Sequence, residues 1–304
     1  MKIGIGAGGT TLAEHIASIQ KAEADGFASV WMPNIFGFDA IMTLALAGAA
    51  TSTIELGTFV VPTYPRHPTA MAQQGLTAAA ATNGRFTLGI GLSHKLVIED
   101  MFGLDYSRPI RHMREYLSVL MPALDRQPIR FHGEEYRVAA QFDVPIDRRP
   151  PVIVAALGPQ MLKIAGRLAD GTATWMGGPK YLETTAVPII TSSAKEAGRP
   201  EPRIISGFPI AVTSKVAEAK QSASKAFAIY GQLPSYRAVL DIEGAADASG
   251  VAIVGNEEAV LKQLRDLRDV GVTDFNASPF PVDGDADAIK RTYALMAEVA
   301  KNGL

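Results

Sequence analysis

A rhythm constrains this chain more than any single motif. Short apolar runs without polar alternation are followed by stretches of helical period, again and again along the sequence. Such runs suit strands buried on both faces, as in a parallel sheet covered by helices. They lie at Ile3–Ile5, Ser29–Met32, Ile54–Val61, Thr87–Gly91, Val152–Leu157, Thr172–Met176, Ile204–Val212 and Val272–Pro279. Thr11 and Glu14, at capping-box spacing, open a first helix with Leu12, Ile16 and Ile19 on one face and Gly26 closing it. Further helices are expected at Ala40–Ala50, Pro68–Thr82, Arg108–Leu124, Gln160–Leu168, Tyr181–Ala197, Lys215–Tyr230 with Ser235–Ile242, Asn256–Asp269 and Asp285–Lys301. Eight strands, each followed by a helix, predict an α/β fold of the (β/α)8 TIM-barrel type, a single domain over residues 1–304. Arg130–Ile146 breaks the rhythm: polar, with Gly133 at a turn, it reads as a hairpin inserted on the barrel rim. Val251–Gly255 is either a small extra strand or the entry to the helix that follows.

Composition narrows the function. With 29 basic against 31 acidic residues the net charge is −2, so nothing draws the chain to a phosphate backbone and nucleic acid is not an expected partner. The absence of cysteine removes disulfides, zinc ribbons and thiol nucleophiles together. MKIGIGAGG has no long apolar segment and does not read as a signal peptide. No apolar stretch approaches the ~18 residues of a membrane span, so a cytoplasmic soluble protein is expected.

Chemistry is expected at the C-terminal ends of the strands. There Thr87–Gly91 leads into Leu92, Ser93 and His94, and the bare Gly89 and Gly91 imply that something passes close to this backbone. Gly4-Ile5-Gly6-Ala7-Gly8-Gly9 matches G-x-G-x-x-G, but the first glycine falls inside the strand and the next strand ends in Pro33-Asn34 without an acid, which disfavours a dinucleotide fold. The histidines, His15, His67, His94, His112 and His132, show no metal-ligand spacing. His94 alone ends a strand and is the candidate functional imidazole, while mid-helix His15 and His112 read as structural and His67 as orienting a loop or substrate. Neither a nucleophile elbow nor a P-loop is present. Val152–Gly158 followed by Pro159 offers free amides at a helix start, an anion site without basic side chains. The only tryptophans, Trp31 and Trp175, end two strands after matching Ala-Asp-Gly turns, where an aromatic flanks a flat ligand or packs under a rim loop.

Three stretches together resemble the bacterial luciferase-like superfamily of flavin- and deazaflavin-dependent oxidoreductases. They are Gly84–Gly91 (GRFTLGIG), Val61–Pro68, and Ala155–Met161 with Ala165-Gly166 and Ala169-Asp170-Gly171, the last typical of the branch using coenzyme F420. The resemblance runs nearly end to end, to Ser278–Pro281. It implies a (β/α)8 barrel whose mouth holds the coenzyme ring, with the phosphate-bearing tail at Ala155, Ala156, Leu157 and Gly158, beside Met161, and at Leu92, Ser93 and His94. Thr58 and Phe59 fall where relatives often have a non-proline cis peptide behind the ring, and Trp175 falls among the ring's neighbours. Sugar-phosphate-oxidising relatives carry Asp-His where this chain has Asn34-Ile35, and an acid where it has His94. The resemblance therefore implies a hydride-transferring reductase with His94 and Asn34 at the catalytic positions, F420 as coenzyme and a small, hydrophobic substrate. The alternatives are an FMN-dependent monooxygenase of the same superfamily and a barrel that binds F420 or flavin without turnover. The rim stretches Ile35–Asp39, Lys95–Tyr106 and Tyr230–Asp247 would select the substrate, and a homodimer is common in the family.

Overall fold

The computed structural model describes all of residues 1–304. Eight parallel strands close into a barrel: β1 (Lys2–Gly6), β2 (Ser29–Met32), β3 (Glu55–Thr58), β4 (Phe86–Gly91), β5 (Val152–Ala155), β6 (Gly171–Trp175), β7 (Arg203–Val212) and β8 (Asp274–Pro279). Each pairs with the next, and β8 returns to β1 with Ile3 opposite Phe275. Helices cover the outside, so Leu88 and Ile90 of β4 are fully buried on the outer face, each contributing ~1.5–3 kcal/mol of apolar burial. The expected capping box forms, with the Glu14 N–H donating to Thr11 Oγ1 at 3.2 Å and Glu14 Oε2 accepting from the Thr11 N–H at 3.2 Å.

The barrel has a sealed bottom. Arg203, at the start of β7, donates to Glu55 at 2.6 Å and to Asp274 at 2.6 Å, and the Thr87 hydroxyl donates to the same Glu55 oxygen at 2.6 Å. Above this charged layer the Trp31 indole fills the barrel, 1% exposed, with its N–H given to Ser29 Oγ at 2.9 Å. A Cβ on Gly57 would sit 2.1 Å from the indole and one on Gly4 2.8 Å from it, so these glycines exist to admit Trp31. Trp31 therefore plugs the barrel rather than standing at the rim, its indole turned back along the axis with its N–H on Ser29 and its ring against Gly57.

The expected third strand, Ile54–Val61, is broken. β3 stops at Thr58, and Val61–Pro62 resumes pairing against Ile90–Gly91 with a one-residue offset, the signature of a bulge. The peptide between Phe59 and Val60 is cis and lies one bond beyond the Thr58–Phe59 position. This bulge explains the bare glycines of β4: a Cβ on Gly89 would meet the Thr58 carbonyl oxygen at 2.0 Å, and one on Gly91 a Val60 methyl at 2.7 Å. The close neighbour of that backbone is the chain itself.

The rim insertion Arg130–Ile146 is the expected hairpin, Ile129–His132 antiparallel to Arg137–Ala140. Ile253–Gly255 is a true strand that extends β7 outside the barrel. Leu96–Met101, expected as loop, forms a π-helical turn, and the helix after β6 starts earlier, at Pro179, and passes through a second π turn at Leu182–Ala186.

Candidate active site

The C-terminal ends of the strands form a mouth unlike the rest of the interior. Towards the mouth the inner face carries Gly6 on β1, Gly91 on β4, Ala155 on β5 and Gly207 on β7. The space at Gly91 is taken by Val60, but a Cβ added at Gly6 would meet nothing nearer than 3.9 Å, so the mouth stays open there above Trp31. Phe59 lies edge-on to Trp31 at 6.1 Å, and its ring, with Trp175, fills the space that Gly207 leaves. A flat ligand entering the mouth would rest on this floor.

One side of the recess ends in a helix start, Pro159–Leu168, with Gly158 at its N-cap position. No side chain caps it and no acid lies in its first turn, so its unpaired amides and dipole face outward uncompensated. Gly158 itself is exposed, and a Cβ there would meet nothing within 4 Å.

His94 stands half-buried at the tip of β4, packed against Tyr236 at 6.0 Å. Burial pushes its imidazole below the usual range, so it is neutral at pH 7. The residue before it, Ser93, has φ +61°, and Met176, just after β6, has φ +54°. These two of the four non-glycine residues with positive φ lie at the mouth, where such conformations persist because the surroundings impose them. Tyr106 holds Ser93 in place, its hydroxyl donating to the Ser93 carbonyl at 3.3 Å. Tyr106 stacks on Tyr64 at 5.2 Å, and Tyr64 on His112 at 3.8 Å. His112 bridges Thr63 Oγ1 at 2.9 Å and the Tyr136 hydroxyl at 3.3 Å. It is the structural histidine of the rim, and burial lowers its pKa to about 4. His67 caps the helix Pro68–Ala81, accepting from the Thr69 N–H at 3.3 Å, which is a loop-orienting role.

Asn34 lies in the loop after β2, and its carboxamide oxygen accepts from the Ala40 N–H at 3.0 Å. That bond ties the loop to the helix Ala40–Ala49 and fixes the amide N–H2 end; the group has no basic function. Around the mouth Ile35, Phe36, Phe38, Leu96, Met101 and Phe102 are exposed, and Phe36 meets Phe102 edge-on at 6.3 Å. Tyr230 and Tyr236, 4.8 Å apart, join His94 to Trp175 as a continuous aromatic wall. Their part in that wall was missed from sequence, because the residues that complete it, His94 and Trp175, lie far from Tyr236 and Tyr230 in the chain.

Four residues expected at the ring or tail are otherwise engaged in this structure. The Thr58 hydroxyl is fully buried, donating to the Gly89 carbonyl at 2.7 Å and accepting from the Gly89 N–H at 2.8 Å, so it repairs the sheet at the bulge. Ala156 and Met161 turn into the core beneath the helices, 2% and 6% exposed. Leu157 has its carbonyl taken by the Tyr181 hydroxyl at 2.8 Å. Phe59, Leu92, Ser93, Ala155, Gly158 and Trp175 remain at the mouth. No cluster of three or more His, Asp or Glu side chains with metal-holding geometry exists.

The sequence profile of the luciferase-like monooxygenase family matches residues 2–274. The chain belongs to this family. It is 26% identical over 283 residues to the 5,10-methylenetetrahydromethanopterin reductase of Methanolobus tindarius, covering 91% of this chain and 83% of that one. Its fold matches the coenzyme F420-dependent tetrahydromethanopterin reductase of Methanopyrus kandleri with TM-score 0.81 at 23% identity, over 99% and 97% of the two chains. It also matches the FMN-bound oxygenating constituent of 3,6-diketocamphane monooxygenase, a type II Baeyer–Villiger enzyme from Pseudomonas putida. There the TM-score is 0.78 at 17% identity, over 100% and 99% of the chains. Solved structures of this fold thus include one described as coenzyme F420-dependent and one bound to FMN. No helix of this member is long and apolar enough to cross a membrane.

Proposed function

We propose that this luciferase-like protein is a coenzyme F420-dependent oxidoreductase that reduces a small, hydrophobic organic substrate. The observation carrying this reading is the mouth itself, open at Gly6, floored by Phe59 and Trp31, with an uncapped helix start at Gly158 on its side. That shape fits a flat ring with an anionic tail, and the F420-dependent reductase of the same fold favours deazaflavin over flavin.

Bound there, the deazaflavin would supply the hydride, and the protein the orientation, dryness and proton. The exposed amides of the helix at Gly158 would hold the phosphate-bearing tail. The aromatic wall from His94 to Trp175 would exclude water, and the apolar rim at Phe36 and Phe102 would admit a hydrophobic substrate. His94, neutral at pH 7, would relay a proton, taking one from solvent at its free ring nitrogen as it gives up the N–H proton of the other to the substrate. Asn34, with its oxygen held by Ala40, would orient the substrate through its N–H2 group. Without a carboxylate at either position, a base-initiated alcohol oxidation is disfavoured.

Titration of the purified protein with F420 and with FMN, followed by fluorescence quenching, tests the assignment. Micromolar F420 binding is expected; binding of FMN alone would replace this reading with the flavin monooxygenase. His94→Ala should cut turnover about 100-fold while leaving coenzyme affinity within about threefold, and unchanged turnover would make His94 a packing residue.

A further inference from the structure

The inner face of β8 carries a column of polar residues, Asp274, Asn276 and Ser278. Asp274 belongs to the sealed bottom through Arg203. One step up, Asn276 is 5% exposed, yet its side-chain oxygen is completely buried and has no hydrogen-bond partner. Its direction follows from the pleat, because Phe275 and Ala277 on either side belong to the outer core. Asn276 pairs in register with Gly4 on one flank and Gly207 on the other, so neither neighbouring strand presents it with a side chain. The space at Gly207 is filled by ring carbons of Phe59 and Trp175. That at Gly4 is filled by the Ser29 hydroxyl and by Trp31, whose N–H is given to that hydroxyl. Neither donates to the Asn276 oxygen, which has no partner, while above it the mouth is open at Gly6.

Deeper polar groups of the inner face are answered by the protein, from Arg203 with its two carboxylates to Thr58 with Gly89, whereas at the mouth the Trp175 indole N–H, like the Asn276 oxygen, is buried without a partner. A buried amide oxygen without a donor is destabilising, and an apolar residue of similar size would serve the wall at least as well. We propose that Asn276 is a ligand-contact residue whose carboxamide oxygen accepts a hydrogen bond from a ring N–H of the molecule seated in the mouth. The chemical class is a heteroaromatic with an imide or lactam edge, as the pyrimidine end of a deazaflavin or flavin presents. This deepens the proposed function and rests on it, adding a polar anchor at the inner end of a recess otherwise lined by glycine, alanine and aromatic carbon.

Asn276→Leu and Asn276→Ala separate this role from a structural one, with coenzyme binding read by fluorescence quenching and the unliganded fold by thermal melting. Asn276→Leu should melt no lower than wild type, because it removes no protein hydrogen bond, while F420 binds about tenfold more weakly to both variants. Wild-type affinity in both variants would overturn the proposal. So would a lower melting temperature with unchanged affinity, which would make Asn276 the partner of an internal water. If wild type binds FMN and not F420, the coenzyme assignment fails, but the same loss, read with FMN through its imide edge, still upholds Asn276. Binding of neither coenzyme overturns both.

Discussion

The two ends of this barrel solve the same packing problem in opposite ways. At the bottom, Arg203, Glu55, Asp274 and Thr87 meet one another, and Trp31 seals the layer above with its only donor satisfied. At the mouth, the strands end in glycine and alanine, a helix start has no cap, and a buried amide oxygen has no partner. Charge is concentrated where it is answered internally and polarity is left open where a ligand would answer it. An inner-face glycine therefore means two different things here: Gly57 makes room for the protein's own indole, and Gly6 makes room above it.

The comparison breaks most visibly at Arg203. It is held charged far above neutral pH despite burial, by hydrogen bonds to Asp274 and Glu55. Arg203→Met leaves the buried Asp274 without a cation and Glu55 with only Lys2 at 3.9 Å, and is expected to cost about 3–5 kcal/mol by urea unfolding. No mouth substitution should approach that loss.

His112 tests whether a region beside the mouth behaves like the bottom. Its pKa near 4 lies below the ordinary 6.5, so the unfolded chain takes up its proton first as pH falls. The neutral ring's contribution is whole above pH 6.5 and is lost as the pH drops towards 4. The stability difference between wild type and His112→Phe should therefore shift by about 2–3 kcal/mol between pH 7 and pH 4. A constant difference across that range would show that the ring is not buried as a neutral base.

The glycine pair sharpens the contrast directly. Gly57→Ala drives a Cβ into a rigid indole and should cost about 1–3 kcal/mol, whereas Gly6→Val should change stability by less than about 0.5 kcal/mol yet weaken coenzyme binding about tenfold. Equal stability losses would mean that the two ends are packed alike. The smallest effect is expected for Gly158→Asp. A carboxylate at the helix start should stabilise the fold by about 0.5 kcal/mol through the free amides while weakening coenzyme binding several-fold, a loss that high salt reduces.

Much of this was legible locally. The capping box at Thr11 and Glu14, the hairpin turning at Gly133, and the buried strand Thr87–Gly91 all depend on residues a few positions apart. Less legible were features whose cause is distant in sequence. β3 ends at Thr58 because that side chain takes up both backbone groups of Gly89, 31 residues on. Gly89 and Gly91 signalled a close approach correctly, but the partner is the bulge at Thr58–Val60 rather than a ligand. Trp31 and Trp175 follow the same local pattern, and barrel geometry sends one to the plug and the other to the rim.

By itself the sequence determined the alternation of strands and helices, the closed parallel barrel and the end at which its chemistry belongs, because periodicity and capping act over single elements. Only the tertiary structure decided which side chains are spent on the wall and which are left open at the mouth. Thr58, Ala156 and Met161 went to the wall and core, while Asn276, which carries no motif, was left unpaired. That division is set by closure, which brings strands far apart in sequence within hydrogen-bonding reach and so determines which polar groups find partners and which do not.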